Sequence, residues 1–252
     1  MSISQPELIL AASHLAFQTD EVEVEETLSF LRNYAPSPIS ALDVGCGYGA
    51  YAVRLAEISQ HVVALEPNPV LYGALLHNIS GSPGLRPKIS PLGLDLFDLP
   101  RSRKYDLILA KNFLSQLRST DLRKTFERLS SLLSERGVLI FSARQRSSLR
   151  ASEFMNEPYF EAIGQVQFAL QTSGRIHESV AKIVIEIEMR LDSVSFGTAE
   201  IAQDIQLFDF AHLIDHWRCA GLELKALASN WAGAQYEPDA PEVVVVLGGS
   251  DW

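Results

Sequence analysis

Three glycines at alternate positions, Gly45, Gly47 and Gly49, follow the apolar run Ala41-Leu42-Asp43-Val44 and precede a helical pattern from Ala50 to Gln60. Glycine in such a loop lets the backbone turn tightly and come close to a ligand. The unpaired amides of the helix that follows can receive an anion. Asp43 stands two residues before the first glycine. Glu66 stands 21 residues after it, at the end of the next apolar run, His61-Val62-Val63-Ala64-Leu65. A carboxylate there can accept hydrogen bonds from both hydroxyls of a ribose. Strand, glycine loop, helix, strand and acid in this order point to a nucleotide-type ligand, against the plainer alternative of a small-residue turn and a surface Glu. The loop alone leaves the cofactor open: Gly45-Cys46-Gly47-Tyr48-Gly49-Ala50 also fits the loose dinucleotide pattern, with Ala50 last.

Side chains that could orient an acceptor or move a proton are less ordered. Asn112, just beyond the apolar run Tyr105 to Ala110, could orient a polar acceptor or simply open a helix or turn. Of the six histidines, His177 is expected just after a Ser173-Gly174 turn and His14 in an N-terminal amphipathic helix. Each is a candidate base, with an ordinary surface or capping histidine as the plainer alternative. His212 and His216 have the i, i+4 spacing of paired metal ligands, but no third ligand cluster accompanies them. A solvated helix face, and no metal, is the expectation there. Cys46 is expected to pack within the loop, and Trp217 and Trp231 to belong to the core or an interface.

The elements that must position these residues follow a βα rhythm. Beyond the first two strands and helices, Pro69 to Asn78 reads as a helix and Gly81, Pro83, Gly84 and Pro87 break the chain. Ile89 to Leu92 and Tyr105 to Ala110 read as strands three and four. Leu122, Phe126, Leu129, Leu132 and Leu133 form a helical stripe, with Ser119 or Thr120 as its cap and Gly137 as its end. Val138 to Phe141 is strand five. Such alternation argues for a parallel sheet covered on both faces. From 160 to 206 the pattern changes to period two, cleanest where Ile183, Ile185, Ile187, Met189 and Leu191 alternate with polar residues. Phe196-Gly197 is expected to break the next strand, Thr198 to Gln206. From Leu207 the βα rhythm resumes: a helix from Phe210 to Cys219 with Gly221 at its C′ position, then strands at Leu222–Ala228 and Val243–Leu247.

Composition sets outer bounds. At about 150 residues per domain, 252 residues span between one and two domains. A hydrophobic content of 47% with 21% charged residues is ordinary for a globular chain that buries a large core. Two cysteines, Cys46 and Cys219, make neither a disulfide framework nor a metal cluster, so a cytoplasmic location is expected. A net charge of −10 without a Lys/Arg block argues against nucleic acid as a partner. No apolar run approaches the roughly 20 residues of a membrane helix, and no basic-then-apolar start suggests a signal peptide.

Taken in order, these segments resemble the class I S-adenosylmethionine-dependent methyltransferases. Leu42-Asp43-Val44-Gly45-Cys46-Gly47-Tyr48-Gly49 is similar to the family's first motif and Ala64-Leu65-Glu66-Pro67-Asn68 to its second. Asp95 through Pro100 is similar to the acidic segment that meets the adenine, and Lys104 through Ala110 to the fourth strand. Leu133 through Phe141 is similar to the fifth-strand entry, and Trp231 to Leu247 to the ending of many small-molecule members. The resemblance implies an α/β, doubly wound, Rossmann-like sheet of seven strands with strand seven antiparallel, carrying an antiparallel β insertion after strand five. It implies one methyltransferase domain over 1–252: an N-terminal helical segment at 1–37, a cofactor-binding core at 38–145 and 207–248, and an insertion at 146–206.

The resemblance also assigns roles. Gly45, Cys46, Gly47 and Gly49 would pass under the methionine and ribose of S-adenosylmethionine, and Asp43 would anchor the loop or reach the amino group through water. Glu66 would hold the ribose hydroxyls with Pro67 or Asn68 beside the adenine. Asp95 would accept from the adenine amine and Leu96 would donate its backbone amide, while Asp98 reads as a helix-start or surface acid. Ala110 to Phe113 would lie where methyl group and acceptor meet. Methyl transfer is an in-line displacement in which the cofactor carries the activation, so a general base is needed only for an acceptor protonated at neutral pH. Lys111-Asn112-Phe113-Leu114 lacks the Asn-Pro-Pro-aromatic sequence of amino-methylating DNA enzymes. The expected acceptor is the nitrogen, oxygen or carbon of a small metabolite. The insertion is expected to roof the acceptor pocket, to form a homodimer contact, or to pack against the parent domain. A non-catalytic partner subunit that binds the cofactor, and a NAD-dependent oxidoreductase, are the alternatives.

Overall fold

Apolar runs of four to seven residues form the central strands. The computed structural model describes residues 9, 21–35, 37–146, 153–192 and 194–249. In chain order, α1 (Glu21–Tyr34) leads into β1 (Ser40–Val44), α2 (Ala50–Ile58), β2 (His61–Leu65), α3 (Pro69–Ser80), β3 (Ile89–Leu92), β4 (Tyr105–Ala110), α4 (Leu122–Leu132) and β5 (Leu133–Arg144). Five strands follow: β6 (Glu153–Met155), β7 (Tyr159–Ile163), β8 (Val166–His177), β9 (Val180–Leu191) and β10 (Val194–Gln206). The chain then returns through α5 (Phe210–Cys219), β11 (Glu223–Ala228) and β12 (Glu242–Gly248). Among the described residues no helix is long and apolar enough to cross a membrane.

Seven strands pair in the order β11-β12-β5-β4-β1-β2-β3. All ladders from β5 to β3 are parallel, whereas β12 runs antiparallel to both β5 and β11. This is the expected α/β sheet with an antiparallel seventh strand. Strand order reverses between β1 and β4, and in open α/β sheets ligands bind outside the carboxyl ends of the strands at such a point. One face packs α4 and α5 through Phe126, Leu129, Phe141 and Trp217. The other packs α1, α2 and α3 through Leu28, Leu31, Leu55, Leu75 and Trp231.

The chain divides into two compact units, Thr19–Ser148 with Gln206–Trp252, and Met1–Gln18 with Leu149–Ile205. The second unit is the antiparallel insertion, a sheet ordered β10-β9-β8-β6 with β7 also on β8. Phe168 pairs with Met189 and Leu170 with Ile187, so the apolar residues share one face. There Phe168, Ile187 and Ala199 are buried together with Ile9.

Three local expectations are corrected. Ser173-Gly174 is not a turn: both lie inside β8, and a Cβ on Gly174 would come within 2.6 Å of the Phe154 ring. Glycine serves there to admit a ring from the neighbouring strand, a second meaning that strand glycines carry. The turn falls at Glu178-Ser179, between the paired His177 and Val180, with Glu178 at φ 54°. Phe196-Gly197 likewise lies within β10. Gly137 does not end a helix. It lies in β5, where a Cβ would come within 2.6 Å of the Tyr105 carbonyl oxygen, beside the register shift between Tyr105 and Leu107.

Candidate functional site

The carboxyl ends of β1, β2 and β4 carry most of the residues that the sequence singles out. The glycine loop is tied down by main-chain bonds: the Cys46 amide donates to the Leu65 carbonyl at 2.9 Å and the Gly49 amide to the Cys46 carbonyl at 2.9 Å. Gly47 and Gly49 take φ of 57° and 85°, a region that costs other residues roughly 1–3 kcal/mol. At Gly49 an added Cβ would overlap the Leu75 side chain, whereas at Gly47 it would meet nothing within 4 Å. Gly49 is thus held to glycine by its left-handed φ, with the Leu75 side chain close against it, and Gly47 has open space beside it. Gly49 also caps α2 without a side-chain bond, which leaves the amides of the first turn available to a ligand oxygen. Cys46 packs partly against the α1–α3 core. Burial pushes its thiol far up, with Asp43 and Glu66 adding to the effect, so it stays protonated.

Glu66 is 6% exposed. Its Oε2 accepts from the Gly47 amide at 2.9 Å and its Oε1 from the Asn68 amide at 2.8 Å. Burial raises its pKa and these two donors oppose the rise. Each oxygen keeps a further lone pair, so the carboxylate can accept from two ligand hydroxyls while bracing the glycine loop. Asn68 caps α3, accepting from the amides of Val70 and Leu71, and Pro67 stands exposed between it and Glu66.

Asp43 is 3% exposed and its Oδ2 has no hydrogen-bond partner. Desolvation, with the neighbouring Glu66 charge adding to it, pushes its pKa up to about 7. A buried carboxyl oxygen without a donor costs on the order of 1–3 kcal/mol. A cationic group brought beside it would relieve that cost.

Asp95 and Asp98 cap one another's backbone around a single helical turn, Leu96–Asp98. Asp95 Oδ1 accepts from the Phe97 amide at 2.9 Å and Asp98 Oδ2 from the Asp95 amide at 3.3 Å. Asp98 thus has the helix-start role expected of it, and both acids are exposed. Leu96 is buried. The turn hangs on Arg128, a buried guanidinium of α4 whose Nε donates to the Leu96 carbonyl at 3.1 Å and whose Nη2 donates to the Leu99 carbonyl.

At the end of β4, Ala110 is buried and Asn112 is exposed in the left-handed region at φ 58°. The Asn112 amide donates to Ser142 Oγ at 3.2 Å, and the next residue, Phe113, lies against Gly45. His177 is exposed at the end of β8 and belongs to the other unit. His14 lies outside the described residues. His212 is exposed on α5, and no group of three or more His, Cys, Asp or Glu gathers to hold a metal among the described residues.

Three features escape the sequence reading. Arg128 is one. Lys111 is another: its ammonium lies 2.7 Å from Glu23 of α1, 4.8 Å from the centroid of the Tyr51 ring and 4.4 Å from that of Trp231. The signal for it was parity, because Lys111 extends the core-facing series Leu107 and Leu109 of β4. The third is a cavity of about 600 Å³ beyond the end of β5, lined by Gln145, Phe208, Asp209, Phe210, Tyr236 and Pro238. There the buried Gln145 amide donates to the Ala240 carbonyl at 2.9 Å and accepts from the Tyr236 hydroxyl at 3.4 Å.

A family model described as a methyltransferase domain matches residues 17–223. Among curated proteins none matches the chain by sequence. Several solved structures share its fold. An S-adenosylmethionine-dependent methyltransferase from Clostridium acetobutylicum is 16% identical with a TM-score of 0.75, over 92% of this chain and 93% of that one. DesVI of Streptomyces venezuelae is 13% identical with a TM-score of 0.79, over 99% and 100% of the two chains. A sugar N-methyltransferase from Streptoalloteichus is 16% identical with a TM-score of 0.74, over 98% and 95%. At these identities the likeness is one of fold.

Proposed function

The chain belongs to the class I S-adenosylmethionine-dependent methyltransferases, and from that premise we propose that it methylates a nitrogen or oxygen, or else a carbon, of a small metabolite. The observation that carries the cofactor site is the braced loop: Glu66 holds the Gly47 amide at 2.9 Å while Asp43 keeps an unpartnered buried oxygen beneath it. That arrangement fits a ligand with ribose hydroxyls and an ammonium group. We assign Gly45, Cys46, Gly47 and Gly49 to its methionine and ribose side, Asp43 to its amino group and Glu66 to its ribose. Pro67, Asp95 and Leu96 are assigned to its adenine, and Ala110 to the place where the methyl is presented.

The cofactor, when bound, supplies a methyl group already activated on a sulfonium. The residues named here contribute orientation, which is worth several kcal/mol of barrier in reactions of this kind. Asn112 is our candidate for orienting the acceptor, from its fixed left-handed turn beside Phe113. A small-molecule acceptor suits the charge of −10, and the likeness of fold to a sugar N-methyltransferase makes amino sugars the first acceptors to try.

Titration calorimetry with S-adenosylmethionine and S-adenosylhomocysteine tests the reading. Binding of both is expected, and no binding of either at millimolar concentration overturns it. Glu66→Ala should weaken binding by roughly 1–3 kcal/mol through lost charge-assisted hydrogen bonds. An affinity equal to the wild type would remove Glu66 from the ribose site.

A further inference from the structure

Beyond the carboxyl end of β5 lies a cavity that no role assigned so far uses. Its volume is about 600 Å³, within the range of roughly 300–1,000 Å³ that small-molecule pockets occupy. Gln145 continues the core-facing series Phe141 and Ala143 of β5 and is 3% exposed. Its backbone is fixed, because its amide donates to the Pro241 carbonyl at 3.0 Å and it bridges Phe208. An apolar side chain in such a position would serve packing at lower cost, since a buried amide must find partners for its donors and acceptor. Gln145 finds them on the loop before β12, which also lines the cavity. Its Nε2 donates to the Ala240 carbonyl at 2.9 Å and its Oε1 accepts from the Tyr236 hydroxyl at 3.4 Å. The Tyr236 hydrogen is thereby taken, and its oxygen is left with acceptor capacity.

The other groups also ask for a ligand that donates. Among the described residues that line the cavity, two are carboxylates, Asp209 and Asp239, against one guanidinium, Arg146. Burial raises the Tyr236 pKa and the nearby Asp209 charge adds to the rise, so the phenol stays neutral. The N-terminus of α5 would favour an anion, but Asp209 already caps it. Its Oδ1 accepts from the Ala211 amide at 3.1 Å, and the His212 amide donates to its carbonyl at 3.0 Å. Its Oδ2 can accept from a ligand. Much of the apolar wall is aromatic: the Phe210 and Tyr236 rings have centroids 5.5 Å apart and planes tilted by 40°. Aromatic faces attract a cation and the carbon skeleton that carries it. An ammonium on a carbon ring complements both the carboxylates and the rings, whereas a carboxylate or phosphate ligand would meet like charge.

The cavity continues the line of strands that ends at the place assigned to methyl presentation. Ala110 pairs with Phe141, and the Asn112 amide donates to Ser142 Oγ. Gln145 follows Ser142 by three residues, about 10 Å along the strand direction. We propose that this cavity receives a protonated amine on a carbon ring, the part of the acceptor remote from the atom that takes the methyl, with Asp209 holding the ammonium and Phe210 and Tyr236 against the ring. The acceptor role of the amine rests on the function proposed above, whereas the preference of the cavity for a cation stands on its own lining. Asp209 is here a specificity-determining residue, and no proton of the transfer passes through it.

The test uses three probes with one ring and three charges at pH 7: cyclohexylamine, cyclohexanol and cyclohexanecarboxylate. Their dissociation constants are read by ligand-observed NMR on wild type and Asp209→Asn, with and without saturating S-adenosylhomocysteine. Asparagine caps a helix about as well as aspartate does, so the variant keeps α5 and loses the charge. Wild type should bind the amine at least fivefold more tightly than the alcohol, and the carboxylate more weakly than the alcohol. In Asp209→Asn the amine should fall to within twofold of the alcohol. S-adenosylhomocysteine should leave the affinity for the amine unchanged to within twofold, since the two occupy different places. A wild-type preference below fivefold overturns the proposal, and so does a preference above twofold that survives in the variant. Displacement of the amine by S-adenosylhomocysteine overturns it as well, because the amine would then sit in the place of the cofactor. Failure of S-adenosylhomocysteine to bind overturns the function proposed above and the acceptor role with it, whereas a lost amine preference overturns the role of the cavity alone.

Discussion

Asp43 shows how one residue can link ligand binding to pH. Burial holds its pKa near 7 in the free protein. An ammonium placed beside it would favour the ionised form and lower that pKa in the complex. Below about pH 7, binding must therefore release the proton that free Asp43 holds. S-adenosylhomocysteine should bind more tightly as pH rises towards about 7, by up to about tenfold per unit, and level off above it. Asp43→Asn should flatten the dependence. A wild-type affinity that stays constant between pH 5.5 and 7, measured by calorimetry, would separate Asp43 from the ligand's ammonium. The two charged residues differ in how far the sequence disclosed them. Asp43 was legible because it sits at a fixed offset from three glycines. Lys111 was not, because a lysine just beyond an apolar run looks like the polar end of a strand, and only the packed Tyr51, Trp231 and Glu23 reveal that it is buried.

At the scale of elements, the acidic turn after β3 depends on α4. The family resemblance assigns Asp95 and Leu96 to the adenine but implies nothing of what holds their loop. The answer is Arg128, on a helix whose apolar stripe was plain and whose buried cation was not. Arg128→Met keeps most of the side-chain volume and deletes the donors to the Leu96 and Leu99 carbonyls. Stability should fall by about 2–4 kcal/mol, since two buried acceptors lose charged donors. A loss below 0.5 kcal/mol in urea unfolding would show that the turn holds without it. Elements defined by long apolar runs or clear periodicity were readable: β1, β2, β4, β9 and α5 lie close to where the pattern put them. Glycine was the main source of error, at Gly137 and Gly174. The same residue type marks a turn in one setting and a close approach inside a strand in another, and neighbouring residues along the chain do not distinguish them. The short β6 and β7 also escaped notice, having too few residues for a period to appear.

At the scale of the whole chain, the two units differ in what holds each together. The seven-stranded unit buries every residue of β4 but one, and every residue of β12 but one, between two helical layers. In the insertion, the wholly buried apolar cluster among the described residues is Ile9, Phe168, Ile187 and Ala199, and Tyr159, Phe160, Val194 and Phe196 are exposed. Backbone hydrogen bonds in β8 and β9 are numerous, but bonds near solvent protect little when few apolar contacts must break to open them. Local opening free energies follow the density of buried apolar contacts. Amides of β8 and β9 should therefore exchange with solvent deuterium through openings well below the global unfolding free energy. Amides of β1, β4 and β5 should exchange only at or near it. Native-state exchange in a series of low denaturant concentrations separates the two cases. The sheets would form one cooperative unit if β8, β9, β4 and β5 converged on a single opening free energy with a common denaturant slope. Separate isotherms, with the insertion opening first, are expected from a seven-stranded core that carries its own buried contacts.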